Sequence, residues 1–238
     1  MTKEKTISNE IYFNLTQPFA CGYLDNEQEQ LLTLNENDAN IILYDRLLNV
    51  GFRRSGGTIY KPHCPNCNKC QPIRIPVADF KQSKRQKRTY KKNHTLTWKF
   101  VAKAKECYYP LYEKYINLRH QDGSMYPASL EQYQSFLLDF KIPPYFIEVY
   151  SEKQLIAVSV TDLLPNSLSA VYSFFDPDFE KMSLGSYLIL LQIELAKQLD
   201  KQYVYLGYQI DNNRKMNYKT SYRPYEKLTE SGWQRQDS

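Results

Sequence analysis

The chain has 238 residues, of which 42% are hydrophobic, so it can bury a core as one large domain or two small ones. No apolar stretch approaches the ~20 residues that a membrane-spanning helix needs, and the polar opening MTKEKTISNE lacks the apolar core of a signal peptide. The net charge is a modest +5. We therefore expect a cytoplasmic protein with no membrane partner.

The first helix is predicted over Asp38 to Val50, because its apolar residues fall mostly on one face and Asn37 or Asp38 can cap it. The segment GFRRSG follows at 51–56. It predicts a loop that presents Arg53 and Arg54 to a carboxylate or phosphate. The alternative is a helix-ending turn with two exposed arginines.

A cysteine-rich segment lies between stretches predicted to be extended at 58–60 and 73–77. Three thiolates in two overlapping C-x-x-C pairs can bind zinc or an iron–sulfur cluster. The ligand set is incomplete, because a zinc ribbon needs a second C-x-x-C, so ordinary thiols are an equal alternative. The candidate metal ligands are Cys64, Cys67 and Cys70, with Cys21 or His63 as the fourth.

The positive charge of the chain is concentrated in residues 81–92, KQSKRQKRTYKK, which hold seven Lys and Arg and no acidic residue. The rest of the chain has 24 basic and 26 acidic residues. A helix that only faces water usually mixes charges to form i,i+4 pairs, so this run favours nucleic-acid contact over a merely solvated face. The candidate nucleic-acid-binding residues are Lys84, Arg85, Lys87, Arg88, Lys91 and Lys92.

The second half of the chain predicts a mixed α/β (α+β) fold. Helices are predicted at 108–118 and 130–138, and strands at 146–150, 155–163 and 168–174. A helix that Ser183 can cap and a strand at 203–208 follow. The polar segment at 211–223, DNNRKMNYKTSYR, is either a site-lining loop or a plain surface loop.

Taken in order, these motifs resemble the bacterial aspartate/glutamate leucyltransferases, a branch of the arginyl-tRNA–protein transferase family. The matching stretches cover nearly the whole chain. They are CGYL at 21–24, GFRRSG at 51–56, YKPHC and CNKC within 60–70, QPIRIPVADF at 71–80, RHQDGSMYP at 119–127, VTDLLP at 160–165, AVYSFFDPD at 170–178, SLGSYLILLQIE at 183–194, and YLGYQI and MNYK within 205–219.

The resemblance implies a cysteine-bearing N-terminal domain over 1–95 and a C-terminal domain over 96–238 of the Gcn5-type acyltransferase class. It also implies transfer of an amino acid from an aminoacyl-tRNA to a protein N-terminus, which marks that protein for degradation by the N-end rule. The eukaryotic, arginine-transferring members have a C-x-x-C where this chain has Cys21 and Leu24. That departure favours leucine, and arginine transfer is the alternative.

The expected reaction needs neither ATP nor a cofactor, because the aminoacyl ester is already activated. The partners are then Leu-tRNA and proteins with N-terminal Asp or Glu, acted on by a monomer. Cationic candidates for the acidic acceptor are Arg53, Arg54 and Arg74, supported by Lys61 and His63. From the motif positions, Ser55, Phe174, Phe175 and Asn217 are further substrate-binding candidates, and Tyr172, Asp176, Tyr208 and Tyr218 are candidate catalytic residues.

Two readings from other classes remain open at this stage. A coenzyme-A-dependent N-acetyltransferase would cradle pyrophosphate in a Gly-rich turn before a helix. The corresponding turn here, residues 182–186, has a single glycine, which disfavours coenzyme A. A non-catalytic RNA-binding protein would use the basic run and the cysteine segment, but it leaves the long α/β half without a role.

Overall fold

The computed structural model describes residues 10–211 and 213–237. The first part of the chain forms β1 (Phe13–Leu15), β2 (Phe19–Ala20), β3 (Gln28–Glu29), β4 (Leu31–Leu34), α1 (Ile41–Asn49), β5 (Arg53–Ser55), β6 (Thr58–Pro62), β7 (Gln71–Pro76) and α2 (Lys84–Lys92). The remainder forms β8 (Thr97–Val101), α3 (Tyr108–Arg119), α4 (Leu130–Tyr133), β9 (Tyr145–Ser151), β10 (Gln154–Leu163), β11 (Ser167–Phe175), α5 (Leu184–Gln198), β12 (Tyr203–Gln209), β13 (Tyr225–Thr229) and β14 (Gly232–Gln236). Short 3₁₀ segments lie at Glu36–Asp38, Pro177–Met182 and Asn217–Ser221, and a π-helical turn at Gln134–Leu138 continues α4. The prediction of a mixed α/β fold is confirmed.

An eight-stranded sheet in the order β14-β13-β7-β12-β11-β10-β9-β8 forms the centre of the fold. Its neighbouring strands are antiparallel except β11 and β12, which run parallel. Since β7 lies between β13 and β12, a strand from before residue 95 belongs to the same sheet as the later strands. The predicted division between residues 95 and 96 therefore separates two segments of the chain but not two sheets. A four-stranded sheet, β1-β4-β6-β5, and the β2-β3 pair complete the strands of the described residues.

Helices α5 and α3 cover opposite faces of the large sheet. Ala157 of β10 lies in one hydrophobic core with Leu188 and Leu191 of α5. The next residue, Val158, lies in a different core with Tyr112 of α3. Successive side chains of a strand point to opposite faces, so a central strand between two helical layers must be apolar on both sides.

Two predicted helix caps are wrong. Helix α1 starts after Asn40, whose side-chain oxygen accepts a 2.9 Å hydrogen bond from the backbone N–H of Leu43, so neither Asn37 nor Asp38 is the cap. Ser183, the predicted cap of α5, has a left-handed backbone with φ of 54° and makes no side-chain capping bond. Asn, Asp and Ser are all suitable types of N-cap residue, but the backbone conformation at the start of each helix decides whether a side chain can form the capping bond.

The predicted loop at GFRRSG is also wrong, because Arg53–Ser55 forms strand β5 on the edge of the four-stranded sheet. Arg53 is paired with Tyr60 of β6, and Arg54 with Ile59. A strand directs neighbouring side chains to opposite sides. The two arginines therefore meet different surroundings.

Candidate active site

A cavity of about 620 Å³ lies where β11 and β12 separate. The two strands pair only between Ser167 and Ser169 on β11 and between Tyr203 and Tyr205 on β12. Both strands then continue, β11 to Phe175 and β12 to Gln209, without further pairing to each other. Beyond the paired stretch, the backbone N–H and C=O groups that face the gap have no neighbouring strand, so a ligand in the gap can hydrogen-bond to them.

The charges around this cavity are of one sign. Its lining includes five basic side chains, and none of the described lining residues is Asp or Glu. Arg54 and Lys215 are paired with the carboxylates of Asp162 and Asp122, whereas Arg53 and Lys219 have no carboxylate partner among the described residues. The unpaired charge in a concave site favours an anionic group on the ligand. The basic lining residues are Arg53, Arg54, His120, Lys215 and Lys219.

Arg53 is the lining cation that keeps a donor nitrogen without a partner among the described residues. Its guanidinium is buried, and Nη2 donates a 2.6 Å hydrogen bond to the carbonyl of Ala170, in the part of β11 that lines the gap. Its Nη1 has no hydrogen-bond partner among the described residues. A buried charged donor without a partner is costly to maintain, and a ligand carboxylate would satisfy it.

Arg54 lies against the core instead. Its guanidinium forms a bidentate pair with the buried carboxylate of Asp162, with Nε and Nη2 each 2.9 Å from an oxygen. Its Nη1 donates to the carbonyl of Gly56 at 3.2 Å. With its donors used in this way, Arg54 holds β5 against β10, and only part of its surface reaches the cavity.

Lys219 is a functional candidate that the sequence analysis did not single out. It is buried, and its Nζ donates a 2.6 Å hydrogen bond to the carbonyl of Tyr208. Burial and the neighbouring Arg53 guanidinium lower the pKa of Lys219 to about 7. The only signal available beforehand was its place in the MNYK motif, next to the two positions that were chosen.

Gly207 leaves room for both cations. It lies at a bulge in β12 with φ of +89°. A Cβ atom there would lie 3.5 Å from Nζ of Lys219 and 3.6 Å from Nη2 of Arg53. The positive φ favours glycine at this position, and both basic groups lie close to the same stretch of backbone.

Apolar and aromatic side chains form much of the remaining cavity wall, together with Ser173, Ser186 and Gln192. Val171, Ile189 and Leu206 supply aliphatic surface, while Tyr115 and Phe136 supply rings. Such a wall suits an apolar side chain, and the polar groups near Arg53 would fix its orientation.

His120 lies in the same wall, and burial lowers its pKa. Its Nε2 has no partner among the described residues.

Five more of the predicted residues line the cavity: Ser55, Tyr172, Phe175, Tyr208 and Tyr218. Tyr208 is buried, and its hydroxyl donates a 2.8 Å hydrogen bond to the carbonyl of Gly51. Burial raises the pKa of Tyr208. A phenol with a raised pKa and a satisfied proton is a poor base at neutral pH, so the geometry favours a structural role for this hydroxyl.

Arg74 is a predicted acceptor-binding residue that the structure places away from the cavity. Its Nε forms a 2.7 Å ion pair with Glu226, and its guanidinium lies 3.6 Å from the ring centroid of Tyr203 and 4.0 Å from that of Trp233. These two cation–π contacts and the ion pair link β7 to β12, β13 and β14. The geometry brings Arg74 into the packing of the sheet and not into the site.

Other predicted residues also lie outside the cavity lining: Lys61, His63, Phe174, Asp176 and Asn217. Lys61 donates from Nζ to the carbonyl of Val50 at 2.9 Å. Asp176 forms a 2.6 Å ion pair with Lys114 and accepts the backbone N–H at the start of the 3₁₀ segment after β11. Phe174 is fully buried against the ring of Tyr112.

The cysteine segment contains the predicted metal ligands. Cys64 and Cys67 form an isolated β-bridge, and all five cysteines are free. Burial and the nearby Cys64, Cys21 and Cys67 raise the pKa of Cys70 to about 12, so its thiol is protonated at neutral pH. No three Cys, His, Asp or Glu side chains of the described residues are placed to hold one ion. Metal binding by these cysteines stays a prediction.

The predicted basic helix exists as α2, starting at a Ser83 capping box. Its six Lys and Arg side chains are exposed, and in the described chain none of them pairs with a carboxylate. The buried Gln86 donates a 3.0 Å hydrogen bond to the carbonyl of Ser221, at the end of the 3₁₀ segment that carries Lys219. The basic surface is thus fastened beside the cavity.

The fold and the site together define a mixed α/β protein with a basic cavity in the gap between two parallel strands, beside an exposed basic helix. None of the helices in the described residues is long and apolar enough to cross a membrane.

Two family models match this chain. The model for the N terminus of arginine-tRNA-protein transferase matches residues 19–88, and the model for its C terminus matches residues 107–229. An "Aspartate/glutamate leucyltransferase" from Shewanella sp. (strain ANA-3) is 58% identical over 224 residues, covering 94% of both chains. The chain therefore belongs to the arginine-tRNA–protein transferase family, and the resemblance seen in the motifs is confirmed.

Solved structures share only part of the architecture. L-PGS from Bacillus licheniformis aligns with a TM-score of 0.45 and 12% identity, over 72% of this chain and 50% of that one. A GCN5-related glucosamine N-acetyltransferase region of a fungal β-N-acetylglucosaminidase aligns with a TM-score of 0.41 and 12% identity, over 81% of this chain and 22% of that one.

Proposed function

We propose that this protein transfers leucine from Leu-tRNA to the α-amine of an N-terminal Asp or Glu, forming a peptide bond that marks the acceptor for degradation. The observation that carries the proposal is the acid-free cavity in which Arg53 keeps one guanidinium nitrogen unpaired. An acidic N-terminal side chain supplies the carboxylate that this nitrogen lacks. A peptide with a neutral N-terminal side chain would leave the buried charge of Arg53 unsatisfied, so the site would reject such a peptide.

The cavity also supports leucine over arginine as the transferred group. An arginine side chain would bring a guanidinium into a lining that already holds cations and, among the described residues, no carboxylate. A leucine side chain instead packs on Val171, Ile189 and Leu206. Like-charge juxtaposition and the loss of apolar contact both disfavour the arginyl donor.

The tRNA is proposed to lie along α2. The six exposed cations of this helix suit backbone phosphates, and clustered charge without a base-reading motif indicates recognition of shape. Because Gln86 joins α2 to the segment carrying Lys219, a tRNA held there has its acceptor end beside the cavity.

The chemistry then requires positioning more than activation. The nitrogen of the acceptor α-amine attacks the carbonyl carbon of the aminoacyl ester, a C–N bond forms, and the bond from that carbon to the ribose oxygen breaks. The ester is already activated, so the step needs no ATP. A proton leaves the attacking nitrogen and one is returned to the ribose oxygen. The oxyanion that forms between these events requires hydrogen-bond donors already in place.

We place the reaction in the cytoplasm and assign it to a monomer. The five free cysteines fit a reducing compartment, where thiols persist without forming disulfides.

The test offers the purified protein radiolabelled Leu-tRNA or Arg-tRNA with otherwise identical peptides that start with Asp, Glu, Asn or Lys. We expect label from Leu-tRNA on the Asp and Glu peptides without ATP or coenzyme A. Label from Arg-tRNA alone would replace leucine by arginine in the proposal. No label from either donor, with tRNA still bound, would favour a binding protein without transferase activity.

A further inference from the structure

We infer that Lys219 takes the proton from the acceptor's α-ammonium group and delivers it to the departing ribose oxygen, which makes it a catalytic residue of the transfer. This inference rests on the proposed function. It assigns the proton transfers, which the proposed function leaves without a residue.

The position of Lys219 relative to Arg53 is the first argument. Both side chains lie over Gly207, where a Cβ atom would be 3.5 Å from Nζ of Lys219 and 3.6 to 3.7 Å from two guanidinium nitrogens of Arg53. In an N-terminal aspartate, only Cα and Cβ separate the α-nitrogen from the side-chain carboxyl group. An acceptor whose carboxylate binds Arg53 therefore brings its α-nitrogen close to Lys219.

The hydrogen bonding of Lys219 is the second argument. Its single described hydrogen bond goes to the carbonyl of Tyr208, at 2.6 Å, and no carboxylate of the described residues pairs with it. A neutral amine can keep this bond and still offer its lone pair to the α-ammonium group. A lysine held by a carboxylate would instead be fixed in the charged form.

The surrounding groups keep the amine ready to accept a proton. The titratable and charged groups that face it are Arg53 on β5, Cys70 before β7, Tyr208 on β12 and Tyr218 on its own segment, whose ring centroid lies 5.9 Å from Nζ. Burial and the permanent charge of Arg53 lower its pKa to about 7, and only Cys70 opposes them. Lys219 therefore becomes neutral as the pH rises through about 7, while the α-ammonium group, with a reference pKa of about 8, is still largely protonated.

The proton balance closes within the site. One proton moves from the α-ammonium group to Nζ of Lys219, and the freed amine attacks the ester. The tetrahedral intermediate loses a second proton from its nitrogen to solvent as it collapses. The lysine ammonium gives its proton to the ribose oxygen as the C–O bond breaks, so Lys219 returns to the neutral form.

The first measurement uses the unaltered protein. Single-turnover transfer from Leu-tRNA to an Asp-ended peptide is followed between pH 6 and 9, with correction for spontaneous ester hydrolysis. We expect kcat/KM to rise through an inflection near pH 7 and to fall as the α-ammonium form disappears above about pH 8. An active protein without the inflection near pH 7 would overturn the inference and leave the proposed function standing. Absence of transfer at every pH would instead remove the proposed function itself.

The second measurement uses Lys219→Arg, which keeps a positive charge but cannot act as a base at these pH values, and Lys219→Met, which removes the charge. General-base catalysis contributes on the order of a hundred-fold or more, so both variants should lose at least that factor at pH 7. The loss should shrink toward pH 9, where the acceptor supplies its own free amine. Lys153→Met, the same change at an exposed position between β9 and β10, should keep full activity.

The outcomes separate a proton-transfer role from a binding role. Full activity of Lys219→Arg would show that only the positive charge is needed, and it would overturn the inference. An equal loss at every pH, or a loss confined to KM, would also overturn it.

Discussion

The cavity and helix α2 use positive charge in two different ways. In the cavity, Arg53 and Lys219 are buried, and each hydrogen-bonds a backbone carbonyl. On α2, all six Lys and Arg side chains are exposed to solvent. Buried, partly unsatisfied cations discriminate among chemical groups, because a wrong partner leaves them unpaired. Exposed cations bind any phosphate backbone and are screened by salt. The proposed function accordingly assigns recognition of the acidic acceptor to Arg53 and binding of the tRNA to α2.

The same contrast exists between two neighbours on β5. Arg54 is paired with the buried Asp162 and stabilises the fold, whereas Arg53 faces the cavity with a nitrogen unpaired. Arg54→Met should have the largest effect, because it leaves a buried carboxylate without its partner. Breaking such a pair costs about 3–5 kcal/mol of folding stability. Equilibrium unfolding in urea measures it.

Two further variants serve as controls for that experiment. Arg53→Met should be clearly less destabilising, since its guanidinium has no carboxylate partner in the described chain. The double change Arg54→Met with Asp162→Leu should recover part of the lost stability, because it removes both charges together. An Arg54→Met protein that is fully stable but no longer prefers acidic acceptors would exchange the roles assigned to the two arginines.

Helix α2 should show an intermediate effect that depends on salt. Replacing Lys84, Arg85 and Arg88 together with Gln should weaken tRNA binding, and each lost phosphate contact should lower the slope of log affinity against log salt by about 0.7–0.9. Filter binding between 50 and 300 mM salt, taken as roughly the range in which such slopes are resolved, checks this. The preference for acidic acceptors should not change.

A matched control replaces three exposed lysines outside α2, at positions 103, 141 and 153, with Gln. This triple-Gln variant has the same net charge as the α2 variant. If it weakens tRNA binding as much and changes the slope equally, the effect belongs to the net charge of the protein and not to α2.

The smallest effect is expected at the cysteine segment. Cys67→Ser should change the free energy of unfolding by less than about 1 kcal/mol and leave transfer unchanged, because the thiol is only half-buried and belongs to no metal-binding group among the described residues. Elemental analysis of the purified protein accompanies the measurement. Near-stoichiometric zinc or iron that is lost in the Cys67→Ser protein would show that these thiols gather around an ion.

Local periodicity was sufficient for the helices and strands that bury continuous apolar faces. Helix α5 was predicted because Leu184, Leu188, Leu191 and Leu195 recur at helical spacing, and all four are buried. Strands β13 and β14 were missed, since β13 mixes Glu226 and Lys227 with apolar residues and is stabilised by pairing with β7, far away in the chain. Long-range pairing of this kind leaves little trace in a local window.

The site was predictable where residue type alone defines a role. Arg53 followed from a cationic motif, and the α2 cations followed from charge density. Arg74 looked equally suitable, but its ion pair with Glu226 exists only in the folded chain. Lys219 could not be selected from the sequence, because its burial and the approach of Arg53 come from tertiary packing. Sequence shows which charges are present, and packing decides which of them stay unpaired.

The central claim is that Arg53 reads the carboxylate of the acceptor. The direct measurement compares kcat/KM for an Asp-ended and an Asn-ended peptide in the unaltered protein, in Arg53→Met, and in Arg46→Met as a control at an exposed arginine. We predict that Arg53→Met loses about 2–5 kcal/mol of transition-state stabilisation with the Asp peptide and little with the Asn peptide, so that the preference collapses. Arg46→Met should behave as the unaltered protein. An Arg53→Met protein that still prefers the Asp-ended peptide would contradict the account.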